Sequence, residues 1–530
     1  MSVPRLAAVR LFFGVMLLAG PPLQGQSSLT RWSQEDRTVI GDFSHITSIA
    51  AGQMQVFVTS PNAVVLWNPG FREWEGPYQP PTAGYLGFVF QSLVDPIDQS
   101  LWMATVNGWI LFQPAIQLWD RGTVPGRVLT IALDRADPLA GLFLRTTSGW
   151  FQVQRGSSIA SPSAPPTAPQ VPTTPQQLIR LNPALDANRA AILQTPGMGT
   201  AQYSAAAEAF DKQGWYIGTL GAGLLFLPVG AAIPVPMTFG LMGPVARALY
   251  GAPRGVWVAT NQTGSAPAAL TYVRDDLRSF SSLTGSLAFG LRFHRAAQLT
   301  GLGRDLWLAS DIGIVRVPTD GASIEVFDYT RGLPDDRVLS VAAYRGAVVV
   351  GTFRGVALID DSLKVRPVGA GFTGRAWAVT SSADTVWFGT DLGLRYALPG
   401  ITGLFQPRQL SESPSFQVAV LDIAWKADTL VGMTNDQLLW RDPATSEWTL
   451  GPNLSGVLGR LRRIALFDDG FWVAGERGIA FATVASPPRA VLRVGEDLPG
   501  IPLDLTVQGD FLWVGTDAGL VRWRLDAIRP

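Results

Sequence analysis

The sequence predicts an all-β protein, a β-propeller of about eleven four-stranded blade repeats. Three observations carry this. First, one phrase recurs: Trp513-Val514-Gly515-Thr516-Asp517-Ala518-Gly519-Leu520, before it Trp387-Phe388-Gly389-Thr390-Asp391-Leu392-Gly393-Leu394, and earlier Trp307-Leu308-Ala309-Ser310-Asp311-Ile312-Gly313-Ile314. Second, aligning the chain on the first position of that phrase gives Phe57, Trp102, Phe143, Trp215, Trp257, Trp307, Val349, Trp387, Leu430, Trp472 and Trp513, at intervals of 45, 41, 72, 42, 50, 42, 38, 43, 42 and 41 residues. A period of about 42 built of strands is that of a propeller blade. Third, no helical 3.6-residue periodicity accompanies the repeat.

Each unit reads as strand, turn, strand. About ten residues before the phrase lies a strand rich in small residues, as at 45–51, 128–133, 338–343 and 461–466. Small side chains suit the crowded inner edge near a propeller axis. The Trp strand follows, then a glycine turn, then a strand such as 355–359, and finally a more polar outer strand such as 323–329. The short connections are those of hairpins.

Composition bounds the rest. Lys plus Arg and Asp plus Glu stand at 41 each, so no global field draws nucleic acid. Charged residues make up 15%, against about 25% in an average soluble protein. The chain has no cysteine, which excludes disulfides, thiolate metal sites, a cysteine nucleophile and an N-terminal cysteine lipid anchor. Arg5 and Arg10 precede an apolar run at 11–19, Gly20-Pro21-Pro22 follows, and Gly25 offers a cleavage point. Residues 1–25 therefore read as a secretory signal peptide. The run is well short of the roughly 20 residues that span a bilayer. An exported chain without disulfides must rest on packing, which fits a periplasmic or extracellular location in a Gram-negative bacterium. No membrane span is expected after signal removal, and a monomer is expected.

Two stretches break the rhythm. The 72-residue interval holds an insertion at 157–200. Its first part, 157–175, is rich in Pro, Ser, Ala and Thr; 176–194 has helical character that Pro183 divides into two short pieces. A flexible linker is the expected reading, with a strap across one propeller face as the alternative. The second stretch, 399–416, carries three prolines and reads as a linker loop. A single propeller usually has 4 to 8 blades, so the two interruptions predict two rings. Five repeats at 201–398 would form one propeller. Three at 26–156 and three at 417–530 would form a six-bladed one, with 28–33 supplying the outer strand that the last repeat lacks. One large ring is the alternative.

The repeated Trp reads as a blade-to-blade packing residue rather than a ligand platform. The Asp of the phrase (Asp311, Asp391, Asp517) reads as a turn residue rather than a metal ligand, because the three lie on different blades. His45 and His294 are the only histidines, so a triad or a His-based metal site lacks members. Gly218-Thr219-Leu220-Gly221-Ala222-Gly223 is a repeat turn with no helix after it to bind phosphate. Glu35-Asp36, Asp335-Asp336 and Asp360-Asp361 are carboxylate pairs by type, best explained as exposed turns. Arg460, Arg462 and Arg463 form the densest basic cluster, expected on a solvated strand face. No catalytic, metal or cofactor residue is expected.

The run Phe327-Asp328-Tyr329-Thr330-Arg331-Gly332-Leu333-Pro334-Asp335-Asp336-Arg337-Val338, leading through a small-residue strand to Val350-Gly351-Thr352, resembles the two-component-regulator propeller repeat. Asp497-Leu498-Pro499, leading to Leu512-Trp513-Val514-Gly515-Thr516, resembles it too. The resemblance covers 28–528 apart from the insertion, and it implies periplasmic ligand sensing. In that family a membrane helix and a histidine kinase usually follow. This sequence stops inside a repeat, so a stand-alone member without a kinase is expected. The repeat is also similar to that of streptogramin lyases, whose catalytic His and metal-binding acids find no match here. The expected function is a non-catalytic exported binding module for a glycan, peptide or envelope protein. The alternatives are a scaffold in a secretion or surface assembly, and a propeller lyase or glycosidase with acids gathered at the axis.

Overall fold

The fold is that of a multi-bladed β-propeller, seen in a computed structural model. It describes residues 36–528, except 81–87, 196–198, 265, 285–290, 292, 321, 369–371, 383, 399–407, 410–417, 427–428, 442–446, 468–469 and 484–488. The expected signal segment, 1–25, and 28–33 therefore lie outside the described residues, as does most of 399–416. Among the described residues no helix is long and apolar enough to cross a membrane.

The described residues form eleven antiparallel blades. In chain order they span 48–78, 91–123, 128–162, 202–237, 246–284, 296–327, 338–368, 376–409, 422–453, 461–493 and 502–524. We number them blades 1 to 11. Blade 11 supplies three strands of its own, and Arg37–Ile40 adds the outermost one, with Arg37 opposite Trp523 and Ile40 opposite Leu520. The expected N-terminal closure is thus made by 37–40.

The second strand of every blade carries the repeat position. Phe57, Trp102, Phe143, Trp307, Val349, Trp387, Leu430, Trp472 and Trp513 are buried there, and Trp215 and Trp257 are half-buried. Trp307, Trp387, Trp472 and Trp513 have indole N–H groups without an acceptor among the described residues. Packing alone holds them. Trp472 shows how: it sits between blades 10 and 11, in a cluster with Leu505, Leu512 and Val514.

The turn after this strand follows one chemical plan. In blade 11, Thr516 Oγ1 donates to Gly519 O at 2.8 Å and accepts from Ala518 N at 3.1 Å. Thr390 and Gly393 repeat the first of these bonds at 2.7 Å, and Thr352 and Gly355 at 2.9 Å. Gly519 has φ +119°, a left-handed conformation that glycine adopts without strain. The hydroxyl therefore holds the turn, which corrects the role expected of the Asp. Asp517 Oδ1 instead accepts from Ile501 N at 2.7 Å, and Asp311 Oδ1 accepts from His294 N and Arg295 N at 3.0 Å each. These carboxylates brace the loop entering the inner strand of their own blade. Turns and entry loops share one end of each blade, the entry end.

The blades pack into a seven-bladed ring and a four-bladed arc. Successive inner strands pack from blade 5 through blade 11, and the inner strand of blade 11 returns to that of blade 5. One recurring bond marks neighbouring blades: a side chain early in one inner strand accepts a backbone N–H from the next. Gln298 does this for Val341 at 3.1 Å, Asp422 for Ile464 at 2.8 Å, and Asp504 for Leu249 at 2.8 Å. Blade 5 thus follows blade 11 as blade 7 follows blade 6. In the arc, blade 4 packs on blade 1, blade 1 on blade 2, and blade 2 on blade 3.

This packing differs from the expected six-plus-five partition. Neither interruption is where the chain changes rings. The insertion joins blades 3 and 4 of the same arc, and 399–416 falls within and after blade 8 of the ring. The crossings are short and lie at 41–46 and 238–245. They hydrogen-bond to each other through Phe43 N to Leu241 O (2.8 Å) and Leu241 N to Gly41 O (3.1 Å). Phe43 and Phe239 meet edge-on between them at 4.8 Å. Phe239 in turn touches Trp74 of the arc and Phe280 of the ring.

The described part of the insertion packs on blades 3 and 4, unlike the flexible linker expected; it lies against the side of blade 4 and not across a propeller face as the strap alternative would. Pro169–Gln170 pairs along the inner strand Val128–Asp134, at Leu133 and Asp134, as a fifth strand of blade 3. The Asp134 carboxylate fixes the approach by accepting from Thr167 N (2.8 Å) and Ala168 N (2.9 Å). Three short helices follow: α1 (Pro175–Leu181), α2 (Ala184–Ala187) and α3 (Arg189–Leu193). A Thr174–Gln177 capping box starts α1, satisfying two otherwise orphan N–H groups. Leu178, Leu185 and Leu193 are buried against Ala206, Ile217, Leu225 and Leu227 of blade 4. The helices cover that face of blade 4, while Ala205 and Ala207 face blade 1.

Candidate functional site

A strand places alternate residues on opposite faces, yet each inner strand must also send a side chain to the axis. A bulge early in the strand re-aims it. The register slips between Leu461 and Arg463 in blade 10, and between Pro502 and Asp504 in blade 11. Arg463 and Asp504 thereby enter the centre of the seven-bladed ring, where Asp422 of blade 9 joins them.

Arg463 spans that centre. Its Nη1 lies 3.3 Å from Asp422 Oδ1, its Nε lies 3.1 Å from Asp504 Oδ1, and its Nη2 donates to Ala297 O of blade 6 at 2.9 Å. Burial works against the cation, but the two carboxylates outweigh it and hold the Arg463 pKa above the ordinary arginine value. The second oxygen of each carboxylate is also committed: Asp422 Oδ2 to Ile464 N, and Asp504 Oδ2 to Leu249 N. Arg247 lies beside this group and donates to Leu503 O at 3.2 Å. Burial, aided by the like charge of Arg463, brings its pKa down to about 10. A polar cavity of about 260 Å³ adjoins the network, lined in part by Tyr250, Gln298, Thr506 and Gln508.

Two carboxylates therefore do meet at an axis, but every one of their oxygens has a partner. Such an arrangement is suited to closing a ring. Asp504 Oδ1 also accepts from Leu505 N at 2.9 Å, so both its lone pairs are used, while the other three oxygens keep one each. Sequence reasoning singled out Arg463 and missed Asp422, Asp504 and Arg247. The available signal was a charge set early in a strand of otherwise small and apolar residues. Of the expected solvated basic cluster, Arg463 is buried at the axis, Arg462 Nη2 pairs with Glu476 Oε1 at 3.1 Å, and Arg460 is exposed.

The other sequence candidates are dispersed. His45 Nδ1 sits 3.0 Å from Asp42 Oδ2 and 2.8 Å from Ser44 Oγ, at the crossing into blade 1. His294 Nδ1 is 3.3 Å from Asp311 Oδ2 at the entry to blade 6. The glycine turn of blade 4 uses its N–H groups on the crossing, since Gly221 N and Gly223 N both donate to Ser44 O. Asp360 organises its own loop by accepting from Ser362 Oγ, Lys364 N and Arg366 Nε. Those bonds hold its pKa down to about 2. Asp336 accepts from Tyr329 N at 2.6 Å, Asp361 is exposed, and Asp36 lies 4.0 Å from Arg524. Glu35 falls outside the described residues. A further groove of about 410 Å³ lies where the insertion meets blade 4, lined by Val171, Pro172, Gln177, Arg180, Leu181 and Trp215.

No protein-family model matches the sequence, nor does any curated protein. Several solved structures are similar to this chain at low identity. The extracellular domain of BT4673 from B. thetaiotaomicron is 14% identical, with 90% of this chain and 64% of that chain covered and a TM-score of 0.42. This chain thus spans less than two thirds of that one. PorZ, a surface component of the type-IX secretion system of Porphyromonas gingivalis, is 12% identical over 90% of this chain and 68% of that chain, with a TM-score of 0.46. Virginiamycin B lyase from Staphylococcus aureus is 13% identical over 53% of this chain and 94% of that chain, with a TM-score of 0.41.

Proposed function

We propose that this chain is an exported, non-catalytic binding module of the two-component-regulator propeller type. In this reading it recognises a glycan, peptide or protein partner in the periplasm or at the cell surface, through loops at the entry end of the seven-bladed ring. One observation supports it above the others: the two axial carboxylates, Asp422 and Asp504, have all four oxygens engaged by Arg463 and backbone N–H groups. Their commitment to Arg463 and to neighbouring strands favours a structural role over the lyase or glycosidase alternative, in which an axial acid or base acts on the substrate. The entry loops are meanwhile braced by Asp311 and Asp517, and a rigid rim loses little entropy on binding. The repeat signature Leu-Pro stands at Leu333-Pro334 and Leu498-Pro499, each leading into an inner strand.

The test is retention. Purified chain is immobilised and exposed to a glycan panel and to an envelope extract, with turnover of every retained species followed. The expected result is saturable retention without product. Product formation, or no retention from either source, would overturn the reading.

A further inference from the structure

We propose that the entry end of blades 7 and 8 carries an oxyanion-binding site formed by Arg337, Arg354 and Arg375 around Phe353. It would receive a ligand bearing carboxylate or phosphate groups. The inference rests on the binding-module reading and gives that module a ligand chemistry.

Three separate segments build the site. Arg337 enters the inner strand Val338–Tyr344 of blade 7. Phe353 and Arg354 form the turn between Ala347–Thr352 and Gly355–Ile359 of the same blade. Arg375 enters the inner strand Ala376–Ser381 of blade 8. The guanidinium carbon of Arg337 lies 3.6 Å from the centre of the Phe353 ring, and that of Arg375 lies 4.2 Å from it. Arg375 also lies 5.4 Å from the Trp377 ring. Two cations thus pack on one phenyl group, with a third on the adjacent residue.

Like charges held this close repel, and the local acids compensate them incompletely. Asp335 approaches Arg337 Nε at 3.5 Å and Arg354 Nε at 3.6 Å; Asp391 approaches Arg375 Nε at 3.7 Å. These distances are beyond good hydrogen-bond length. Both acids are also occupied elsewhere: Asp335 accepts from Arg337 N at 2.9 Å, and Asp391 from the Trp377 indole at 2.6 Å. Among the described residues, none of the three guanidinium groups makes a hydrogen bond. Paired arginines in the same ring look different. Arg316 reaches Asp305 at 2.7 Å and Glu325 at 2.8 Å.

Stacking on an aromatic face fixes the plane of a guanidinium while leaving its N–H edge open. An open, pre-oriented edge is what bidentate recognition of a carboxylate or phosphate needs. The side chains of Arg337, Arg354 and Arg375 are 54%, 71% and 41% exposed, so a ligand can reach them. An anion bound there would also relieve the mutual repulsion of the three cations.

The experiment uses the full mature chain and calorimetric titration at constant ionic strength. Citrate and inorganic phosphate are the two probes, and sodium chloride is the control. Saturable binding of at least one probe is expected, and the preferred probe identifies the source of the oxyanion. The R337Q/R375Q double variant should weaken binding by about tenfold or more, as loss of charge-assisted hydrogen bonds implies. F353L, which keeps the charges but loses the stack, should weaken it by a smaller factor. R477Q, a change at another entry-end arginine, should leave it unaltered. Equal melting temperatures without probe confirm that the variants fold. The proposal falls if neither probe saturates, or if R337Q/R375Q binds as wild type does. Wild type and R337Q/R375Q are then compared for retention of envelope ligands. Retention by a chain that binds neither probe would reject this site and leave the binding-module reading intact.

Discussion

Asp504 accepts a hydrogen bond from the backbone N–H of Leu249 at 2.8 Å, across 255 residues of sequence. Through this bond the last blade meets the fifth and the seven-bladed ring closes. The same carboxylate holds Arg463, so one side chain serves both ring closure and the axial ion network.

Asp504→Ala should therefore be severe. It strands the buried Arg463 with one carboxylate and leaves Leu249 N–H without its acceptor. Breaking a buried pair by removing one partner costs about 3–5 kcal/mol, which should appear as a lower urea midpoint. An Asp422→Leu, Arg463→Met, Asp504→Leu triple variant should recover only the part of that loss owed to the unpaired charge, because Leu249 N–H and Ile464 N–H then both lack their acceptors. If the single variant melts like wild type, the network is not what joins blades 11 and 5.

Trp472→Ala should destabilise by about 3–5 kcal/mol through the cavity left between blades 10 and 11. Binding of any retained ligand by the still-folded fraction should be unchanged. Equilibrium denaturation, run beside the retention assay, checks both halves. Undiminished stability together with lost binding would reassign this Trp from packing to recognition.

The blades were legible because their signal is local. Trp, Thr and Gly within seven residues encode a strand, a hydroxyl-held turn and its left-handed glycine. Ring closure was not legible, because it depends on contacts such as Asp504 with Leu249 that no period reveals. The Pro-rich insertion misled for a related reason. Its composition is that of a linker, while its order comes from Asp134 and from Leu178, Leu185 and Leu193 meeting blade 4. The axial network was half legible: Arg463 stood out in a basic run, whereas Asp422 and Asp504 stand singly in their strands and drew no reading.

Leu178→Ala tests the insertion. Burial of Leu178 against blade 4 predicts a loss of about 2–5 kcal/mol, confined to the helices if they open separately from the blade. Limited proteolysis should then cut within 171–195 while the rest of the chain stays intact. Equal protease resistance in variant and wild type would mean that the insertion is held elsewhere.

His45 makes the junction between arc and ring sensitive to pH. Its hydrogen bond to Asp42 raises the His45 pKa above the ordinary histidine value, with burial opposing. A group whose folded pKa is raised binds its proton more tightly when folded. Its contribution is therefore complete below the unfolded pKa of about 6.5 and is lost as pH climbs through the higher folded value. The melting temperature should fall across that window in wild type, and this part of the fall should be missing in His45→Gln. An identical pH profile for the two proteins would remove His45 from the junction.

The pairing of Arg37–Ile40 with Gly519–Arg524 also has a consequence in time. Of the described strands, the outer strand of the last blade is made first and its partner last, so the ring stays open until blade 11 has emerged. The four-bladed arc draws on 48–237 alone and can assemble while later blades are still being made, as domains fold in turn during synthesis. Assembly is therefore vectorial: the arc is ready early, and the final act of folding returns the two ends of the described chain to each other.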